Sequence, residues 1–387
     1  MEMRSTADGQ YDASVVIIHY GNERLTSQCV KSVIEDENSC RYQIIVVNNG
    51  PQTALQLGNR LPGNLRVINL STNVGYASAV NIGCASAQSK TIVVLNNDVT
   101  VQGKCISNLV STLERNSKVG FCAPIKYNMD NPNILDGAGG MINLLLQTWD
   151  HCSFEYVRSD CLCQRELPYP PGAAYAIRKD IATLYGKLLD EDFFMYFDDP
   201  DVGMRSFYAG YVGMLVPSSV VYHKRGASSG TYSTLAHFYF SRNMLISIFK
   251  NLDTLTFLKL IPSYLSYILF RIANSILALK GRAGRQTMSI CVGALSGLLA
   301  LKVAKYKKPI IQSIKKARKR SDSQYFELFS EEAMYFSEEP PSALTMKAMG
   351  AQVKLMNLYS RLARLAIPQI SQLSFVCQGR RTTFCLV

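Results

Sequence analysis

Four short runs of β-branched residues recur through the first hundred positions, separated by stretches with helical spacing. They are SVVIIH (14–19), QIIVV (43–47), LRVINL (65–70) and TIVVL (91–95). A helical pattern over about 22–34 follows the first, and the second ends at NNGP, a turn signal. The small residues of STNVGYASAVNIGCASAQ, after the third, suit a helix packed close to a sheet, and another helix is expected over about 102–116. Strands alternating with helices in this way predict an α/β fold, doubly wound, with a mostly parallel sheet.

Such sheets bind ligands beyond the carboxyl ends of their strands. His19, Asn48, Asn49 and Asp98 all stand at such ends, so they are expected to converge on one crevice. The fourth strand stops at Asn96-Asn97-Asp98. Two kinds of chemistry use such residues. Asn and Asp form turns by bonding their own backbone, and hard cations take oxygen ligands. Both readings stay open on these residues alone. No G-x-G-x-x-G follows the first strand and no P-loop occurs, so nicotinamide, flavin and P-loop phosphoryl chemistry lose support. What remains is a nucleotide whose diphosphate is neutralised by a divalent metal.

Residues 119–225 are less regular. They hold DGAGG (136–140), PPGAAYAIR (170–178) and six acids within 190–201: Asp190, Glu191, Asp192, Asp198, Asp199 and Asp201. Pro200 suits a first helical position, which makes Asp199 the expected N-cap and Asp201–Arg205 an i,i+4 pair. Asp190, Glu191 and Asp192 are either solvated or acceptor contacts.

The net charge of +12 is concentrated: residues 302–320 supply nine Lys/Arg and no acid, leaving +3 elsewhere. A local basic run beside apolar segments favours anionic lipid, and no nucleic-acid module is visible. From about 235 the chain becomes strongly apolar, and residues 286–301 are uncharged for sixteen positions. That is short of the ~20 residues a spanning helix needs. Helices in or dipping into one leaflet are expected, with the basic run at the lipid surface; a short span or ordinary buried helices are the alternatives. Gly293 and Gly297 offer a helix contact face. After 320 come Asp322, Glu327, Glu331, Glu332, Glu338 and Glu339, then a helical pattern around 344–366. The expected division is an α/β domain over 12–230, membrane-associated helices over 231–320 and a partly helical tail over 321–387. Eleven scattered cysteines and an N-terminus without an apolar signal region suggest free thiols in a reducing cytoplasmic setting. His151, Cys152, Cys161 and Cys163 cluster, but not at standard zinc spacing.

An ordered series of pieces carries a resemblance over about residues 14–243: VVIIHYGNERLTSQCVKSV, IIVVNNG, NVGYASAVNIG, VVLNNDVTV, VGFCAPIKY, LDGAGG, GAAYAIRKD, LLDEDFFMYFDDPDVGMR, YVGMLVPSSVVYHKRGASS and YFSRN. The series resembles family 2 glycosyltransferases of the rhamnosyltransferase and galactofuranosyltransferase-like branch. The resemblance implies a GT-A fold, a nucleotide-sugar donor, a divalent cation (Mg2+ or Mn2+) and inversion at the anomeric carbon. Asn96-Asn97-Asp98 stands where the family has its D-x-D-like metal motif, with Asp98 as the metal ligand and Asn96 replacing the first acid. Asp199 matches the general base, and His223 matches a histidine that completes the metal shell in some relatives, the alternative being a packed histidine. His19, Tyr20, Asn48, Asn73, Tyr76, Asn96 and Asn97 fall on the donor side, and Asp192, Asp198 and Trp149 on the acceptor side. Trp149 either stacks on a sugar or caps a loop.

The implied protein works at the cytoplasmic face of a membrane, peripheral or monotopic, on a glycan or lipid-linked glycan acceptor. Asn48 and Asn96, where relatives carry acids, keep open a non-catalytic glycan-binding or scaffold relative.

Overall fold

A computed structural model of the chain describes residues 11–36, 40–50, 55, 57, 62–225, 233–277, 283–303, 308–336, 343–377 and 380–385. The first part alternates as the β-branched runs require: β1 (Ala13–His19), α1 (Glu23–Glu35), β2 (Tyr42–Asn48), β3 (Leu65–Asn69), α2 (Tyr76–Ala85), β4 (Thr91–Asn96), β5 (Val99–Gln102), α3 (Cys105–Arg115) and β6 (Val119–Asn128). Short strands β7 (Leu135–Gly137), β8 (Gly140–Ile142), β9 (Thr148–Asp150) and β10 (Glu166–Leu167) follow, then β11 (Ala174–Arg178), α4 (Lys179–Tyr185), α5 (Asp198–Tyr208) and β12 (Val212–His223). The C-terminal part comprises α6 (Thr234–Asn251), α7 (Thr254–Leu277), α8 (Ala283–Val303), α9 (Lys308–Ala317), α10 (Asp322–Phe326), β13 (Glu332–Phe336), α11 (Ala343–Leu362), β14 (Gln372–Cys377) and β15 (Arg380–Cys385).

The main sheet runs β10-β12-β6-β11-β4-β1-β2-β3, with β5 on β12 and β7 on β6. β1 to β4 are mutually parallel and β12 is parallel to β6, while β11 runs antiparallel between β4 and β6. Both faces are covered, which is why these strands read as unbroken apolar runs. Val16, Ile18, Ile45 and Val47 enter the core under α2. Val15, Ile17, Ile44 and Val46 enter the core under α1 and α3. Gly83 lets α2 lie against β1, since a Cβ there would sit 2.3 Å from Val16 Cγ1.

Register then sets the crevice. Ile18 pairs with Asn96, His19 with Asn48, and Asn48 with Asn69, so the strand ends form one row. On the other flank, His223 pairs with Val99, the residue after Asp98.

A second core joins the α/β body to the C-terminal part. Leu144, Tyr169, Phe197, Met204 and Tyr208 pack with Leu245, Leu260, Tyr264, Tyr325, Met349 and Ile370. The boundary expected near 230 lies outside the described residues. The tail holds a three-stranded sheet, β13-β14-β15, besides α11. It is tied to the body where Asn143 Nδ2 donates to Glu332 O (2.8 Å) and Gln147 Nε2 donates to Met334 O (3.1 Å).

Three expectations change here. Cys152 and Cys161 form a disulfide rather than free thiols, so these two sulfurs are held in a bond and not offered to a metal. Arg318 and Arg320 of the basic run face the protein: Arg318 pairs with Asp253 (2.7 Å) and Asp322 (2.6 Å), and Arg320 donates to Tyr211 O and Gly210 O. Finally, α6 lies against the body with Asn243, Ser247, Lys250 and Asn251 buried.

Candidate active site

One end of the site is built on two strand ends. Asn96 ends β4 and Asp98 lies in the turn to β5. Asp98 is buried, and its main-chain O accepts from Lys224 N at 2.9 Å, which fastens the turn to the end of β12. Two buried side-chain oxygens here, Asn96 Oδ1 and Asp98 Oδ1, accept no hydrogen bond. Leaving buried acceptors unmatched costs about 1–3 kcal/mol each. His223 Nε2 stands 3.3 Å from Asp98 Oδ1, an ion-pair distance without hydrogen-bond alignment. The oxygens of Asn96 and Asp98 fit Mn2+ or Mg2+, and His223, held charged between Asp98 and Asp136 in this state, would give up its Nε2 proton to join them.

The sequence reading missed what stands behind His223. Its Nδ1 lies 2.8 Å from Asp136 Oδ2. Asp136 is the one acid in LDGAGG, a segment the ordered series includes without assigning it a role. Arg225 Nε stands 3.2 Å from Asp136 Oδ1, and Lys126 Nζ, paired to Asp150 Oδ2 at 2.7 Å, stands 4.0 Å from Asp136 Oδ2. Burial alone would raise Asp136, but Arg225, His223 and Lys126 together hold its carboxyl well below the usual range. For His223 burial alone would lower the pKa; Asp136 and Asp98 outweigh it and lift the imidazole to about 9. A carboxylate on the far nitrogen of a ligating histidine fixes its tautomer and orientation.

The loop before β11 links this end to the opposite one. Asn96 N donates to Ala173 O at 2.9 Å, and Tyr76 Oη donates to Gly172 O at 3.1 Å. A Cβ on Gly172 would stand 3.3 Å from Asp199 Oδ2. Glycine therefore leaves the Asp199 carboxylate its room.

Asp199 is not the N-cap of α5. Phe197 holds that position in a left-handed conformation (φ 63°) with no side-chain cap, and Asp199 lies inside the first turn. Burial, then the neighbouring Asp198 carboxylate, push Asp199 well above the usual range; its own backbone N–H opposes this without winning. Asp198 rises to about 6, by burial first and by Asp201. An N-cap carboxylate accepts backbone N–H bonds and sits low, as a weak base; burial and Asp198 reverse that sign here. Asp201 and Arg205 form the expected pair, at 3.0 Å and fully buried.

The remaining residues divide. Asn48 is buried, with Nδ2 donating to Asn69 Oδ1 (2.9 Å) and Oδ1 unmatched. Asn97 Nδ2 donates to Thr26 Oγ1 at 3.0 Å, and His19 Nδ1 meets the same oxygen at 2.6 Å, so both fasten the chain after β1. Tyr20 is exposed there. Asn73 Oδ1 accepts from Gly75 N (2.9 Å), while Asn49, expected at the crevice without a role, holds the same loop by accepting from Val74 N (2.9 Å) and donating to Gly75 O (3.2 Å). Asp192 is exposed. Trp149 is buried against Met334, Met141 and Phe154, so its ring joins the body to the tail rather than facing a crevice.

The profile of glycosyl transferase family 2 matches residues 14–181. Residues 14–181 thus form a glycosyl transferase family 2 domain. Such domains belong to nucleotide-sugar-dependent transferases, and this one is similar to the rhamnosyltransferase-like branch. It is 27% identical over 215 residues to the N-acetylglucosaminyl-diphospho-decaprenol L-rhamnosyltransferase of Mycobacterium tuberculosis, covering 48% of this chain and 68% of the relative. It is 22% identical over 236 residues to the uncharacterized protein y4gI of Sinorhizobium fredii, covering 57% of this chain and 25% of that protein. The crystal structure of GalNAc-T7 with UDP, GalNAc and Mn2+ superposes with a TM-score of 0.50 at 14% identity, over 76% of this chain and 57% of that one. That likeness concerns the fold alone. The glycosyltransferase thus has the GT-A architecture its motif series implies, with C-terminal helices following it.

Proposed function

We propose that this glycosyltransferase moves a hexose or deoxyhexose from a nucleotide sugar to a hydroxyl of a lipid-linked glycan, by direct displacement with inversion. The observation that carries the reading is the pairing of two unlike ends: unmatched oxygens on Asn96 and Asp98 beside His223, and the raised Asp199 carboxylate across the Gly172 loop. Asp98, Asn96 and His223 would hold a divalent ion, which when bound supplies Lewis-acid stabilisation of the departing diphosphate. Asp199 takes the proton of the acceptor hydroxyl as its oxygen bonds to the anomeric carbon. The bond to the nucleotide breaks, and its electron pair leaves with the nucleoside diphosphate. Tyr76 and Gly172 shape the wall between the two ends, and Asn48 Oδ1 is free to accept from a base edge. The lipid-linked acceptor is argued from the Mycobacterium relative, whose name states one.

The first test is a panel of UDP-, dTDP- and GDP-sugars with Mn2+ or Mg2+, read by nucleoside diphosphate release. One donor is expected to stand clear of the rest, and release is expected to stop on chelation. Equal background release from every donor would contradict the reading. Replacing Asp136 with Asn should weaken Mn2+ binding by roughly 10- to 100-fold, read by titration against free-ion signal, because His223 loses its orienting carboxylate.

A lipid-linked acceptor would bring the protein to a membrane surface. Exposed apolar stripes support this: Leu255, Leu258, Leu265 and Leu269 on α7, Met288, Val292, Leu295 and Leu299 on α8, and Leu355, Leu358 and Leu362 on α11. Among the described helices, α7 alone is long and apolar enough to cross a bilayer, over Thr254–Ala273, with 33% of that window buried in the protein. Exposed Lys315, Lys316 and Lys319 lie in the basic run. We read this as peripheral docking on an anionic lipid surface. Leu265→Glu with Leu269→Glu should reduce co-sedimentation with phosphatidylglycerol vesicles by at least about tenfold, since each buried leucine contributes about 1.5–3 kcal/mol. Unchanged sedimentation would remove α7 from the docking surface.

A further inference from the structure

The loop that delivers Asp198 and Asp199 is held in an unusual backbone conformation. Phe194, Tyr196 and Phe197 have φ of 62°, 65° and 63°, a region side chains other than glycine seldom occupy. Nothing within α5 caps its start, since Phe197 offers no side-chain bond. The restraint comes from α6, in a stretch (YFSRN) to which the catalytic scheme gives no task.

Asn243 is fully buried. Its Nδ2 lies 3.0 Å from Phe193 O, 2.9 Å from Met195 O and 2.8 Å from Tyr196 O. Three carbonyls converge on one amide nitrogen, and the amide oxygen accepts from Arg242 Nη1 at 2.7 Å, so the network itself fixes which way the amide points. The same Arg242 nitrogen donates to Asp192 O at 2.7 Å. Deeper along the helix, Lys250 Nζ bridges Asp190 (2.6 Å) and Asp201 (2.9 Å), while Ser247 and Asn251 donate to Asp201 at 3.0 and 2.7 Å. Asn243, Ser247, Lys250 and Asn251 recur at helical spacing, so one buried polar face grips both the loop and α5. α8 presses α6 from behind: a Cβ on Gly293 would sit 2.4 Å from Phe238 O.

We propose that Arg242 and Asn243 are a positioning pair: by holding the carbonyls of Asp192, Phe193, Met195 and Tyr196 they aim the Asp199 carboxylate at the acceptor hydroxyl. The inference rests on Asp199 being the base. Neither residue touches the cation end, and the loop meets the donor side through Phe194 O, which accepts from Ala77 N at 3.2 Å, so the pair acts first on turnover. An error of about 1 Å in placing a reacting group costs on the order of 100-fold.

Asn243→Ala is expected to lower kcat by about 30- to 100-fold with the best donor of the panel, leaving KM for that donor within about threefold. Hydrogen exchange should accelerate at amides 192–198 and stay unchanged at 93–100. Arg242→Gln, at a half-buried site, should lower kcat by about three- to tenfold in the same manner. Tyr264→Phe is the control, because its hydroxyl donates to Ser241 O on the same helix, away from the loop. It should lower the melting temperature and spare kcat. The proposal is overturned if Asn243→Ala, or Arg242→Gln where the alanine variant does not fold, keeps the kcat of Tyr264→Phe, or if its loss falls on KM. An Asp199→Asn enzyme that turns over normally would instead sink the base assignment, a separate outcome.

Discussion

Asp199→Asn is expected to lower kcat by roughly 10²- to 10⁴-fold while donor affinity stays near that of the parent. The amide keeps the shape of the carboxylate beside Gly172 but takes no proton. The variant should melt no lower than the parent. Burial and Asp198 disfavour the charged form of Asp199, so removing that charge relieves the fold rather than weakening it. The parent's pH profile follows from the same shift. A base works only when deprotonated, and a pKa raised above the ordinary carboxylate range moves the acidic limb of kcat to higher pH. Activity should therefore fall on acidification well before an exposed aspartate would protonate. A flat profile through that range would contradict the assignment.

Asp98→Ala is expected to have the second large effect and a different signature. Removing the buried carboxylate takes away an oxygen facing His223 and leaves that imidazole paired to Asp136 alone. Mn2+ binding should be lost, and nucleoside diphosphate release should drop on the order of 10³-fold at any metal concentration, because several kcal/mol of leaving-group stabilisation disappear. Calorimetry with Mn2+ and UDP or dTDP separates this from Asp199→Asn, which should bind both. Retained metal binding would move the cation site elsewhere.

The strands that build the donor crevice were legible because parallel strands buried on both faces must be apolar throughout. β1, β2, β3 and β4 fall where SVVIIH, QIIVV, LRVINL and TIVVL predict them, and the row His19, Asn48 and Asn96 follows from their register. The strand pattern puts Asp98 at the crevice, but the roles proposed for Asp98, Asp199 and His223 come from the resemblance, because their spacing in the chain says nothing of a shared site. What escaped was whatever depends on contacts distant in sequence. Asp136 meets His223 across 87 positions and Asn243 meets the loop across about 50. The N-cap reading of Asp199 failed because the preceding loop adopts left-handed backbone at Phe197, which no local rule assigns to phenylalanine. The polar face of α6 was present as 243, 247, 250 and 251, hidden inside a segment whose mean composition is apolar.

The division of labour between the two ends is open to one direct measurement: donor binding and acceptor-dependent nucleoside diphosphate release, for parent, Asp98→Ala and Asp199→Asn, side by side. The account predicts that Asp98→Ala loses both quantities and that Asp199→Asn binds donor normally yet fails to transfer. If both variants match the parent, the chain is a non-catalytic relative on a glycosyltransferase fold, or its chemistry lies elsewhere, and the account is wrong.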